Sequence, residues 1–402
     1  MKPASFMIIA GDASGDELAA ELVEALRVEI IRVNPSTSDA AQPLRTELMP
    51  TFFGAGGPRM KAAGVDVAFD LTQHSIIGIT RALRKVLVLG PHFARLLKLA
   101  KERQPDVVIG VDYGGFNTRF GRAVKNYSRR HSGPFQSWKP KIVQFVSPQV
   151  WASRPGRAYK LAESHDLILS IFPFEREWYA RRVPRLHVEF VGHPMVDRHR
   201  KLALPPQNAH ANSAKHIVLL PGSRPTEIRH HLAMMLDALK IIRTRVPNLQ
   251  LRMVVPNADL LEQMKQFGVP DDVKVQVGGI TDALAHADLA IAKTGTVTME
   301  CAFFQVPAVT FYRLSWVEAQ IGRCIVRVKW ITMPNLLADE EVYPEFIQNR
   351  ATPENVAAAA LEMLENESHR TAVKQKLTKI VSSLGAPGAT ARAAQAIVKL
   401  LQ

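Results

Sequence analysis

The feature that most limits what this chain can fold into is a pattern that runs twice. Short, nearly unbroken apolar runs rich in β-branched residues are each followed by a stretch with helical spacing. Residues 6–10, 51–54, 107–112, 141–146, 167–171 and 189–191 make the first set; 216–220, 250–255, 273–277, 289–292 and 308–311 make the second. Strands that are apolar on both faces are buried on both faces, and strands separated by helices pair in parallel. Between the sets, residues 201–215 (KLALPPQNAHANSAK) have no apolar period and read as a linker. The expectation is an α/β protein of two Rossmann-like domains, 1–200 and 201–385, with a closing helix in 386–402 carrying Ala394, Ile397, Val398 and Leu401 on one stripe. Residues 34–48 and 128–140, polar and rich in Pro and Ser, read as surface insertions.

A length of 402 residues supports two cores, and 47% apolar with 22% charged residues excludes wholesale disorder. Cys301 and Cys324 are the only cysteines, so there is no disulfide framework and no cysteine zinc site, which fits a reducing compartment. No uninterrupted apolar run approaches the roughly 18 residues a membrane span needs, so any membrane contact should be peripheral. The net charge of +14 asks for an acidic partner: nucleic acid, anionic lipid or a phosphorylated substrate. A basic surface kept for solubility is the plain alternative. Aromatic residues are 7% and are not interleaved with Lys and Arg, so a nucleic-acid-binding module would lack its stacking platforms.

Four turns carry the chemistry. The first strand ends in Gly11-Asp12-Ala13-Ser14-Gly15-Asp16 before a helical stretch over 17–28, and small residues there would let a phosphate or sugar approach a helix N-terminus. The plain alternative is a strand-to-helix turn capped by Ser14 or Asp16. Residues 105–112 (PDVVIGVD) deliver Asp112 to the carboxyl end of a buried strand, where open α/β sheets bind ligands. A carboxylate partly removed from water can serve as a general base, and Asp16 is the second candidate; Asp112 could instead cap a helix beginning near Thr118.

In the second half, Gly222, Ser223, Arg224 and Glu227 follow a strand, with Gly222 permitting close approach and Arg224 offering a donor fork for a diphosphate. Thr294, Gly295 and Thr296 do the same further on, and Glu300 on the helix that follows can accept from ribose hydroxyls. Each of these turns could also be only a capped connection. No Walker lysine motif, no G-x-G-x-x-G and no DxD is present, so a P-loop nucleotidase, a dinucleotide fingerprint and a metal-held diphosphate are unsupported; no cofactor or metal is expected. His165, His193, His230 and His231 lack ligand-like spacing and read as structural.

These motifs in this order resemble the lipid-A-disaccharide synthases. The matching strings are GDASGD (11–16), GGPRM (56–60), IGI (77–79), GVD with FN (110–117), VSPQVWA (146–152), RPGR (154–157), PFE (173–175), VGHPM (191–195), LLPGSR (219–224), TGT with Glu300, MPNLLA (333–338) and PE (344–345). The resemblance implies the GT-B fold, two Rossmann-like domains facing across a cleft, with the C-terminal helix returning toward the N-terminal domain. It implies an inverting transfer of 2,3-diacylglucosamine from its UDP donor to 2,3-diacylglucosamine 1-phosphate, giving a β-1,6-linked disaccharide phosphate and UDP in lipid A biosynthesis. Asp112 stands at the family's proposed base; Arg224, Thr294, Gly295, Thr296, Glu300 and Asn335 fall where the family handles the nucleotide, and Ser14 and Asp16 lie in the loop facing the cleft. Another UDP-N-acetylglucosamine-dependent GT-B transferase or a UDP-sugar epimerase is the competing enzyme reading, but these lack the SPxVWA and PNLLA strings.

The chain departs from the family pattern at Asp12, where Glu is usual, and at Arg81, Gly115, Gln144 and Lys293; the last stands where Ser or Ala is usual. Diacylated substrates also demand access to a bilayer. Residues 75–103 mix Ile76, Ile77, Ile79, Leu83 and Leu87 with Arg81, Arg84, Lys85, Arg95 and Lys98, and a second such segment spans 316–330. Both fit a cytoplasmic protein held peripherally at anionic inner-membrane lipid, or ordinary packing helices with a basic outer side. A homodimer is left open.

Overall fold

Among the residues described by the structure, a computed structural model covering 3–33, 49–74, 82–133, 137–200 and 214–402, thirteen strands form two sheets. The expected insertion at 34–48, Ile76, Ile77, Ile79 and Arg81, and the linker from 201 to 213 lie outside these residues, as do the side chains of Leu83 and Leu87.

The first sheet contains β1 (Ser5–Ala10), β2 (Thr51–Gly56), β3 (Asp66–Asp70), β4 (Val107–Val111), β5 (Lys141–Phe145), β6 (Leu167–Ser170) and β7 (Val188–Phe190), in the order β3-β2-β1-β4-β5-β6-β7. The second contains β8 (Lys215–Leu220), β9 (Leu249–Val255), β10 (Val273–Val277), β11 (Leu289–Lys293), β12 (Ala308–Tyr312) and β13 (Glu345–Ile347), in the order β10-β9-β8-β11-β12-β13. Every pairing in both is parallel. The chain divides into Met1–Arg198 with Leu384–Gln402, and His199–Ser383.

This order explains the apolar runs. β4 is buried at all five residues and β1 at five of its six, because helices cover both faces of each sheet. Met7, Ile9, Val108 and Phe120 lie in the core of the first unit, and Leu219, Ile291, Met235 and Leu239 in that of the second. Each such side chain contributes about 1.5–3 kcal/mol by leaving water.

The same order also fixes where ligands can go. Each sheet builds outward from its first strand in one direction, then returns to build in the other, so neighbouring connections leave on opposite faces. The reversal falls between β1 and β4 in one unit and between β8 and β11 in the other, and at such a point a crevice opens beyond the carboxyl ends. Ala10 pairs with Val111, and Leu220 with Ala292. Gly11 and Asp112 therefore leave the first sheet side by side, and Pro221 leaves the second beside Lys293, the last residue of β11.

The closing helix Ala389–Lys399 packs on the helix Ala13–Val33 and buries Ala393, Ala394, Ile397 and Val398. Asp197 accepts the amides of Gly388 and, at 3.0 Å, Ala389. The Arg392 guanidinium donates to the carbonyls of Val191 (2.8 Å), Pro387 (2.7 Å) and Ala386 (2.6 Å). Residues 128–140 are not a loose insertion where described. They begin inside the helix Gly114–Arg130, and Ser128 donates to the carbonyl of Trp138, whose indole N–H reaches Pro105 O at 2.9 Å. No helix among the described residues is long and apolar enough to cross a membrane.

Candidate active site

In the second unit, the loop after β8 turns at Gly222, whose φ of +136° is open to glycine and strained for other residues. A Cβ there would lie 2.7 Å from Cβ of Glu227. That closeness lets Glu227, buried in the first turn of the helix Pro225–Arg245, accept the Ser223 amide at 2.9 Å on Oε2. Its Oε1 receives Arg224 at 2.8 Å and Lys293 at 3.2 Å. A contact between residues 224–227 and 293 ties the β8 loop to the β11 loop across the switch point. His231 adds a second tie. Its Nδ1–H donates to Pro221 O at 2.9 Å and its Nε2 accepts the Arg313 amide at 3.2 Å, and burial holds the ring pKa below its usual value, favouring the neutral form.

Beyond β11, Thr294 is buried, Gly295 and Thr296 are exposed, and Glu300 is half-buried in the helix Val297–Phe303. Gly295 has φ +149°, and Thr298 Oγ donates to its carbonyl at 2.7 Å. Exposed backbone, two cations and a helix start thus surround the crevice of this sheet, an arrangement suited to a diphosphate.

In the first unit, Asp112 and Tyr113 follow β4 with φ values of +48° and +43°. Two left-handed residues in succession cost about 1–2 kcal/mol each, so something must hold them. The holders are two buried amides: Asn117 donates to Asp112 O at 2.9 Å and Gln144 donates to the same oxygen at 2.7 Å. Gly110 makes room for both, since a Cβ there would lie 2.7 Å from each. The Asp112 carboxyl is pushed up to about 6, first by burial and then by the charge of Asp12, against a smaller downward pull from the Tyr113 amide. A carboxyl near 6 is mostly ionised at neutral pH and still basic enough to take a proton in a transition state.

The family model described as lipid-A-disaccharide synthetase matches residues 6–400. A relative, the lipid-A-disaccharide synthase of Trichlorobacter lovleyi, is 32% identical over 410 residues, covering 100% of this chain and 98% of that protein. This chain belongs to the lipid-A-disaccharide synthase family. It is accordingly a UDP-sugar glycosyltransferase of lipid A biosynthesis. Among solved structures, CalG4, the calicheamicin glycosyltransferase, is similar with a TM-score of 0.57 at 15% identity, covering 100% of this chain and 99% of that one. The UDP-GlcNAc 2-epimerase from Neisseria meningitidis bound to UDP-GlcNAc has a TM-score of 0.61 at 10% identity, covering 99% of this chain and 100% of that one. Such likenesses show the two-Rossmann GT-B fold, which transferases and epimerases share; membership of the synthase family is what separates them here.

Against this family's motifs, two residues need correction. Asp16 is 2% exposed and accepts the amides of Gly57 (2.7 Å), Met60 (3.1 Å) and Arg59 (2.9 Å). It caps the short helix Pro58–Ala62 in the GGPRM string, with both carboxylate oxygens engaged by backbone amides. Asn335 is fully buried, with Oδ1 accepting Val342 and Tyr343 amides and Nδ2 donating to Tyr343 O and Glu345. The PNLLA and PE strings of the family therefore form a buried knot, and Asn335 has no surface to offer a nucleotide.

The helix Ala13–Val33 is capped by Asp12, which accepts the Gly15 amide at 2.7 Å, and not by Ser14, which is exposed, or Asp16. Asp112 caps nothing near Thr118: its helix begins at Gly114 with Tyr113 as the flanking residue. Sequence reasoning missed the clasp of Asn117 and Gln144 on Asp112. The signal was present, since Gln144 had stood out as a departure and Asn117 lies in the FN string.

Proposed function

We propose that this synthase transfers 2,3-diacylglucosamine from its UDP donor to the 6-hydroxyl of 2,3-diacylglucosamine 1-phosphate with inversion, and that Asp112 is the general base. The acceptor O–H bond breaks toward the Asp112 carboxylate while its oxygen bonds to the donor's anomeric carbon. The bond from that carbon to UDP breaks, and its electron pair leaves on the diphosphate. A single in-line displacement inverts the anomeric centre. Arg224 and the backbone at exposed Gly295 and Thr296 stabilise the charge that grows on UDP, and Glu300 accepts from the ribose hydroxyls. The observation that carries this reading is a half-buried carboxyl at the switch point of the first sheet, raised to about 6 and set there by two side-chain amides. Incubation with UDP-diacylglucosamine and the monosaccharide phosphate should release UDP and disaccharide phosphate in equal amounts. UDP released at the same rate without acceptor would contradict it.

Peripheral contact with anionic lipid belongs to the same proposal. Trp316 (75% exposed), Val317, Val326 and Ile331 stand out from the second unit beside exposed Arg323, Arg327 and Lys329. Apolar side chains of this kind enter the headgroup boundary while neighbouring cations meet lipid charge.

A further inference from the structure

Lys293 is the last residue of β11, and its ammonium lies against a buried carboxylate. It is 15% exposed, lies 3.2 Å from Glu227 Oε1, and would be 3.1 Å from a Cβ at Gly295. Glu227 is 7% exposed and Arg224, on the same carboxylate oxygen at 2.8 Å, is 37% exposed. Two cations thus share one buried carboxylate. Burial pushes the Glu227 carboxyl up, but the Lys293 charge, the Ser223 amide and Arg224 together bring it below its usual value.

A buried carboxylate that loses its counter-charge is strongly destabilising. Were Arg224 its sole partner, turning that guanidinium toward a diphosphate would strand Glu227 beside two phosphates. With Lys293 on the same oxygen, the more exposed cation can leave and the carboxylate stays paired. We propose that Lys293 is a positioning residue that holds Glu227 and thereby frees Arg224 for the donor's diphosphate. The inference rests on the reading that the second switch point binds that diphosphate.

The test titrates UDP and uridine into wild type, Lys293→Ser, Arg224→Ala, Glu227→Gln and the Glu227→Gln/Lys293→Ser double variant. Arg224→Ala should weaken UDP about ten- to hundred-fold. Lys293→Ser should weaken UDP about tenfold with uridine affinity unchanged, and should raise the donor KM more than it lowers kcat. In the Glu227→Gln background there is no carboxylate left to hold, so adding Lys293→Ser should change UDP affinity by less than about twofold. Equal losses in both backgrounds would show Lys293 touching phosphate itself and overturn the positioning role, as would no loss in either. Unchanged UDP affinity in Arg224→Ala would instead bring down the diphosphate reading, and this inference with it.

Discussion

Asp112 owes its basicity to two causes that can be separated by mutation. Burial is the larger, and the charge of Asp12 is the second. Asp12→Asn removes that charge while keeping an oxygen for the Gly15 amide, so the Asp112 pKa should fall toward its ordinary value. A base acts when deprotonated, so the acid limb of kcat/KM, which should lie near pH 6 in wild type, should move to lower pH in the variant. A limb that moves upward, or does not move, would detach Asp12 from the base. The place of Asp112 was legible in the sequence because a buried strand ended in a carboxylate. The carboxylate of Asp16 and the amide of Asn335 were not legible as structural groups, because folding brings their partners near: backbone amides for Asp16, and backbone groups with the Glu345 carboxylate for Asn335. The Glu227–Lys293 pair spans 66 residues of chain, and no local spacing betrays it.

At the scale of elements, the buried strands and the edge strands β7 and β10 were read from the sequence, and the edge strands β3 and β13 were not. β3 and β13 close one side of each sheet, are five and three residues long, and are mostly half-buried. An edge strand lacks the second neighbour that demands an unbroken apolar run, and the half-buried β3 and β13 look like loops in the sequence. The SPxVWA string shows the opposite case, a conspicuous motif whose purpose only packing reveals. Its Trp151 indole donates at 2.9 Å to Glu175, a fully buried carboxyl at the start of the helix Pro173–Ala180. Burial pushes Glu175 up to about 7, against the smaller pull of Trp151, the Phe172 amide and Ser147. A carboxyl raised in the folded state is harmless below its unfolded pKa and costs stability as pH rises through the folded value. Glu175→Gln should therefore gain on wild type between pH 5 and pH 8, by up to about 3 kcal/mol. Thermal unfolding of both proteins at the two pH values checks the sign, and a constant difference would mean that Glu175 does not titrate in the folded protein.

The whole molecule carries a net charge of +14 and binds substrates with acyl chains under the proposed reaction. Co-sedimentation with anionic vesicles should therefore exceed that with neutral vesicles, fall in high salt, and drop in a Trp316→Ser/Val317→Ser variant that still unfolds at the wild-type temperature. Equal recovery in the supernatant with either vesicle would leave the exposed patch without a membrane role. Under the proposed reaction each unit uses a sheet reversal, the first for a base and the second for a diphosphate cradle, and the most direct test takes the base away. UDP release from UDP-diacylglucosamine and diacylglucosamine 1-phosphate should fall roughly 10²–10⁴-fold in Asp112→Asn, with UDP affinity within a few-fold of wild type. An Asp112→Asn enzyme that turns over at the wild-type rate would contradict the account.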